Sequence, residues 1–348
     1  IAKLIKDKQA KGLPCILGMA TGATPILLYK ELVRLHKEEG LSFKNVITFN
    51  LDEYYPMQPD SINSYVRFMK ELLLDQVDIL QENYHIPDGT LSKEEIANYC
   101  TDYEAKIEAL GGIDLQILGI GGNGHIGFNE SGSLQNSKTR LVALDHITRV
   151  AASSDFSGLS NTPRTAITLG VKKIMEAKKV ILMAWGEGKS SIIQKSVEGI
   201  VTNQIPASFL QEHNNAVFVL DKEAASKLTR INTPWLVEKI VWTDKLTRKA
   251  VLGLALDLKK PILMLTDADY IENGMSDLLA DSGPAYDINI KIFNKLQNWY
   301  MLGSILMLLF TILQIFKERK WLHYAVNGMH IIIGILFALH TVGLRCEL

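Results

Sequence analysis

Five short apolar runs, separated by amphipathic stretches, constrain this chain more than any other feature. They are Pro14–Met19, Val46–Phe49, Asp114–Ile120, Val180–Trp185 and Ala216–Leu220. Between them, Ile26–His36 places Leu28, Leu32 and Leu35 on one helical side. Ile96–Leu110 reads as a helix stopped by Gly111 and Gly112, and Ser190–Glu198 as another. Short runs that are apolar throughout suit strands covered on both faces, as in a parallel sheet. Strands alternating with helices predict an α/β fold over residues 1–220: a doubly wound, mostly parallel sheet with helices on both faces. In such sheets ligands sit beyond the carboxyl ends of the strands, so those junctions are where chemistry is expected.

Charge narrows the field of partners. Lys+Arg number 37 against 38 Asp+Glu, a net charge of −1. That balance argues against nucleic acid, which usually demands a basic excess, and against a disordered acidic chain. The three cysteines, Cys15, Cys100 and Cys346, form no CxxC motif and are too few for a disulfide scaffold. Reduced thiols and a cytoplasmic location are the expectation. The opening residues, from Ile1, read as a helix with no signal peptide.

Beyond Leu220 the character changes. Residues 221–299 read as an accessory extension, with Lys245–Lys259 helix-like, Pro261–Leu265 strand-like and a polar stretch from Asp267. Residues 300–348 form a hydrophobic tail. Tyr300–Phe316 and Trp321–Leu344 carry no charge, and Lys317–Lys320 separates them. A spanning helix needs about 20 apolar residues. A membrane hairpin through 300–344 is therefore one reading; a helical pair buried in an oligomer, or a segment foreign to the rest, are the others. The basic link would put the preceding part outside the cell, against the expected location.

Four loops carry chemistry. Gly18–Pro25 (GMATGATP) lies between a strand and a helix, where small residues and a helix start suit a phosphate. Thr21 and Thr24 add hydroxyls, Gly22 and Ala23 permit close approach, and no Walker-type Lys follows. Asn50–Tyr54 sets Asp52 and Glu53 directly after a strand, a place for a general base. Gly119–Glu130 contains a formal G-x-G-x-x-G, but His125–Ser137 is too rich in Gly, Asn and Ser to form the helix that a dinucleotide needs. It offers instead His125, a proton shuttle near neutral pH, with Glu130 to orient the ring and Asn123 alongside. Finally, Trp185–Lys189 places Lys189 just before a helix, suited to a phosphate counter-charge.

Together these segments resemble the glucosamine-6-phosphate deaminase family, over about Ile1–Leu220. The most specific pieces are Thr48–Tyr54 (TFNLDEY) and Asn123–Glu130 (NGHIGFNE), with weaker matches at Val197–Gly199 and Thr139–Arg140. Phosphogluconolactonases share the fold but continue differently after the Gly-His pair. The resemblance implies an enzyme converting glucosamine 6-phosphate to fructose 6-phosphate and ammonia in amino-sugar catabolism. In it, His125 opens the sugar ring, Glu130 and Asn123 hold the imidazole, and Asp52 moves a proton between C2 and C1. Thr21, Gly22, Ala23, Thr24 and Lys189 bind the sugar phosphate. Neither a metal nor an organic cofactor is implied, and a homo-oligomer is expected. The alternatives are a lactonase-like sugar-phosphate hydrolase and a membrane-tethered sugar-phosphate sensor. Two departures stand out. A phosphate-binding arginine aligns with Ser154, so Arg149 or Arg164 would substitute. Ser133 and Arg140 match an allosteric pattern, but Val142 replaces its lysine, and activation by an amino-sugar phosphate is not expected. The extension resembles that of long bacterial deaminase-like proteins, without the His-Pro-Asp-Asp signature of their deacetylase module.

Overall fold

Cys15–Met19 (β1) is buried at every residue, as a strand covered on both faces must be. The structure, a computed structural model, describes residues 1–318. β1 pairs with Val46–Asn50 (β2) on one side and with Leu115–Leu118 (β5) on the other, both in parallel. The remaining strands are Asp52–Tyr55 (β3), Tyr84–His85 (β4), Arg140–Ala143 (β6), Thr165–Thr168 (β7), Val180–Ala184 (β8) and Ala216–Leu220 (β9). Six of them form one sheet in the order β4-β2-β1-β5-β8-β9, all pairings parallel. The chain winds outward through β2 and β4, then returns to start β5 on the other flank of β1. The winding direction therefore reverses between β1 and β5, which is where such sheets open a crevice.

Helices link the strands: Ala2–Ala10 (α1), Ile26–Glu39 (α2), Tyr65–Leu72 (α3), Lys93–Ala109 (α4), His146–Ala152 (α5), Val171–Met175 (α6), Ser190–Val197 (α7) and Thr229–Asn232 (α8). Local sequence sets their ends. Gly40, left-handed at φ 69°, terminates α2, and Ser92 with Glu95 forms a capping box that starts α4. The core under the sheet is built from Ile16, Leu17, Val46, Phe49, Ile117, Leu118, Val180 and Leu182.

A second sheet, β3-β7-β6, is antiparallel and was not expected from the sequence. Its strands are four residues each and read DEYY, RLVA and TAIT, too short and irregular for a period-two signal. Leu51 alone joins β2 to β3. Its N–H donates to Met19 O of β1 at 3.0 Å, and its carbonyl accepts from Leu169 N–H at 2.6 Å. That bridge hands the chain from one sheet to the other and sets Asp52 at the junction.

The chain divides into two compact units, Ile1–Asn232 and one beginning at Thr233. Residues 221–232, counted above with the extension, fall in the first. In the second, Asp244–Asp257 (α9), Asp267–Glu272 (α10), Ser276–Ser282 (α11) and Ala285–Glu318 (α12) enclose Val251, Leu254, Tyr270, Leu278 and Ile288. The strand expected at Pro261–Leu265 is instead a 3-10 turn, Ile262–Met264, closed by Met264 N–H to Pro261 O at 2.9 Å. Asp267 opens α10, where Thr266 and Asp269 form a capping box. Tyr270 donates to Asn289 Oδ1 at 2.7 Å, and Asn289 donates to Leu265 O at 2.8 Å, all in the interior. Asn289→Leu strands the Tyr270 hydroxyl and the Leu265 carbonyl, so about 1–3 kcal/mol of this unit's stability should be lost. A denaturant titration followed by indole fluorescence reads that loss; an unchanged midpoint contradicts it.

Tyr300–Phe316 lies within α12, and Trp321–Leu344 lies outside the described residues. Among the residues whose side chains are described, no helix is long and apolar enough to cross a membrane. The hairpin expected through 300–344 therefore falls largely outside the described residues.

Candidate active site

After β5 the chain turns repeatedly instead of forming a helix. Gly124 N–H bonds to Gly121 O at 3.0 Å, Gly121 N–H to His125 O at 3.0 Å, and Asn129 N–H to Ile126 O at 3.2 Å. Gly121 is required sterically: a Cβ there would stand 2.2 Å from His125 Cε1, so the imidazole lies across bare backbone. The ring then meets Glu130, its Nδ1 lying 3.2 Å from Oε2. Asn123 bridges both partners, donating to Glu130 Oε2 at 2.8 Å and accepting His125 N–H at 3.2 Å. Asp145 N–H reaches Glu130 Oε1 at 3.3 Å, and Thr148 Oγ1 lies 3.3 Å from His125 Nδ1. Burial by itself would raise the Glu130 carboxyl, but His125, Thr148 and Asn123 hold it down to about 2. An ionised carboxylate only accepts, so the His125 Nδ1 proton faces Glu130 and Nε2 is left to exchange a proton with a ligand.

Asp52 starts β3 opposite Thr168 of β7 and is only 5% exposed. Burial, reinforced by the charge of Glu53, pushes its carboxyl up to about 8. Its Oδ2 lies 3.3 Å from where a Cβ of Gly127 would stand, and Gly127 takes φ +56° in the His125 loop. The buried acid and the imidazole loop thus share one wall. Glu53 turns the other way and holds the start of α3, accepting from Tyr65 N–H at 2.8 Å and Val66 N–H at 3.1 Å. Burial lifts its carboxyl to about 7 against these amides.

Thr21–Thr24 fills the turn between β1 and α2, with Gly22 at φ +86°. Trp185, at the end of β8, donates its indole N–H to Thr24 O at 3.2 Å. Lys189 is half-buried, which lowers its ammonium below the usual lysine range, and it donates to Ile120 O at 2.7 Å. The loops after β1 and β8 thereby flank the loop after β5, at the carboxyl ends of three adjacent strands. Of the arginines expected to replace the one at Ser154, Arg149 donates to the carbonyls of Leu159 at 2.9 Å and Thr162 at 3.4 Å. Arg164 is exposed, as is Ser154. Arg140 holds Ser133 Oγ at 3.1 Å and Asn129 Oδ1 at 3.0 Å.

Three contributors escaped the sequence reading. Thr168 Oγ1 accepts Phe128 N–H at 3.0 Å and fixes the His125 loop to β7. Tyr65 stacks on Phe128 at 6.2 Å and meets the Tyr54 ring at 5.0 Å. Thr148 reaches His125 from α5. None has a local motif; the folded chain alone assembles them. Among the described residues, no three His, Cys, Asp or Glu side chains are grouped as a metal would require.

The chain is thus an α/β protein with an imidazole–carboxylate pair and a separate buried acid around the reversal point of its parallel sheet. The sequence profile described as glucosamine-6-phosphate isomerases/6-phosphogluconolactonase matches residues 1–219, and the chain belongs to that family. A glucosamine-6-phosphate deaminase-like protein of Bacteroides thetaiotaomicron is 53% identical over 298 residues, 86% of this chain. The match spans only 45% of that relative's length. A glucosamine-6-phosphate deaminase of Clostridium botulinum is 46% identical over 213 residues, covering 61% of this chain and 86% of its own. Among solved structures, a monomeric glucosamine-6-phosphate deaminase superposes with a TM-score of 0.62 at 38% identity, covering 65% of this chain and 91% of that one. A 6-phosphogluconolactonase of Trypanosoma brucei, at 21% identity and TM-score 0.53, shares the fold.

Proposed function

We propose that the chain isomerises and deaminates glucosamine 6-phosphate, giving fructose 6-phosphate and ammonia in amino-sugar catabolism. The observation that carries this reading is a proton relay, His125–Glu130–Asn123, set beside a separate buried acid, Asp52. Aldose–ketose conversion needs both: one group to open the ring and another to carry hydrogen between neighbouring carbons. His125 gives a proton to the ring oxygen as the C1 hydroxyl loses its own, leaving an open-chain aldehyde. Asp52 takes the C2 hydrogen as a proton and returns it at C1, while the aldehyde oxygen takes up the proton that the C2 ammonium gives up, leaving a C1 alcohol and an iminium at C2. Water adds there, C–N cleavage releases ammonia, and the C2 ketone remains. The buried Asp52 carboxyl favours its neutral form in the free protein, and a substrate ammonium at C2 would draw it to the ionised form. A lactone carries no such cation. Thr21–Thr24, the start of α2 and Lys189 receive the phosphate. One related solved deaminase is monomeric, so the homo-oligomer expected of this chain stays a proposal for a sizing measurement to test.

Incubating the protein with glucosamine 6-phosphate should yield equimolar ammonia and fructose 6-phosphate. Tight binding without product overturns the proposal, and hydrolysis of 6-phosphogluconolactone alone would assign the lactonase side of the family. Trp185 offers a second reading of the phosphate seat. Trp185→Phe removes one donor to Thr24 O, so KM should rise about threefold to tenfold with kcat nearly unchanged. Because Trp185 is the single tryptophan of residues 1–232, inorganic phosphate should also perturb a fluorescence component that this variant lacks.

A further inference from the structure

We propose that Thr148 is a positioning residue that holds the His125 imidazole with its Nδ1 proton toward Glu130. The role rests on the acid–base reading above. Thr148 stands in the first turn of α5 and is 7% exposed, so its hydroxyl cannot fall back on bulk water. Its Oγ1 is 3.3 Å from His125 Nδ1, and Thr148 is among the groups that hold the Glu130 carboxyl down.

Donor counting fixes which way each proton points. Glu130 Oε2 already receives Asn123 Nδ2 at 2.8 Å and His125 Nδ1 at 3.2 Å, and Oε1 receives Asp145 N–H at 3.3 Å. An ionised carboxylate has no proton to offer, so the imidazole must supply the one between them. The Thr148 hydroxyl then donates to Glu130 and turns a lone pair to the Nδ1 hydrogen. In the opposite tautomer a bare Nδ1 would face the carboxylate, and Thr148 would have to abandon Glu130 to satisfy it. The hydroxyl therefore weights the ring toward Nδ1–H, leaving Nε2 as the atom that exchanges a proton with the sugar. On the flat side of the ring, Gly121 admits no side chain, so the imidazole is set by backbone below and by these polar partners at its edge.

Thr148→Val keeps the shape and removes the hydroxyl; Thr148→Ser keeps the hydroxyl. With the full chain at a pH about two units above the ordinary imidazole value, proton NMR of imidazole-labelled protein should show the downfield His125 Nδ1 proton in the wild type. It should shift upfield or exchange away in Thr148→Val and return in Thr148→Ser. Turnover of glucosamine 6-phosphate should fall about tenfold in Thr148→Val, mostly in kcat, the worth of one hydrogen bond to a charged group. Affinity for the reduced open-chain alditol phosphate, which needs no ring opening, should hold. An unmoved Nδ1 signal in Thr148→Val overturns the inference whatever the activity. Wild-type protein that shows the signal but no turnover overturns the enzymatic reading and leaves Thr148's structural effect measurable.

Discussion

Asp52→Asn is expected to suppress turnover by about 10²–10⁴-fold, the usual contribution of a positioned general base. Incorporation of deuterium from solvent at C2 should vanish with it, while substrate still binds, weakened only by the lost contact between the ionised carboxylate and the C2 ammonium. Retained C2 exchange would remove Asp52 from the proposed mechanism. The same substitution should stabilise the fold. In the native protein burial raises the carboxyl to about 8, whereas an unfolded Asp ionises near its ordinary value, about 4. Between these limits the unfolded chain has released a proton that the native one keeps, so wild-type stability falls as pH rises from about 4 to about 8. Asn removes that penalty. Its advantage in Tm should therefore be small at about pH 4 and grow toward about pH 8. A pH-independent difference would mean that the acid is not held neutral.

His125→Gln is the second large effect. Loss of about 10²–10⁴-fold in turnover is expected with the closed pyranose form. Binding of the open-chain alditol phosphate should suffer far less, since no ring bond then has to break. Equal loss on both ligands would contradict a ring-opening role. The substitution also disturbs Glu130, whose carboxyl sits at about 2 largely because of the imidazole. A depressed carboxyl stabilises the fold above its unfolded value, and that contribution is lost as pH drops toward its native value. Without the imidazole the Glu130 carboxyl should rise, and the acid-unfolding midpoint should move to higher pH.

Five strands of the main sheet were legible as short apolar runs, whereas the two-residue strand Tyr84–His85 (β4) was not. Ala216–Leu220 was read with its observed bounds, and β1, β2, β5 and β8 within two residues at each end. The three-stranded sheet was not legible. Asp52–Tyr55 looks like a loop motif since its polar content reflects use, and Arg140–Ala143 and Thr165–Thr168 pair only through tertiary contact. Pro261–Leu265 shows the reverse error, an apolar run with no strand beside it among the described residues. For the site, His125, Asn123 and Glu130 sit on one loop, so proximity in sequence foretold their hydrogen bonds. Thr148, Thr168 and Tyr65 come from three other elements and signal nothing locally. Their roles follow only from where α5, β7 and α3 end.

Asp52 rides on the small antiparallel sheet, while His125 hangs from the large parallel one. The buried acid and the imidazole thus each have their own chassis, with Leu51 as the hitch between the sheets. The stretch after the Gly-His pair meets both, because Gly127 lies against Asp52 Oδ2 and Phe128 N–H bonds Thr168 of β7. A family containing both isomerases and lactonases is what a scaffold that can change the surroundings of both groups through one loop would be expected to produce.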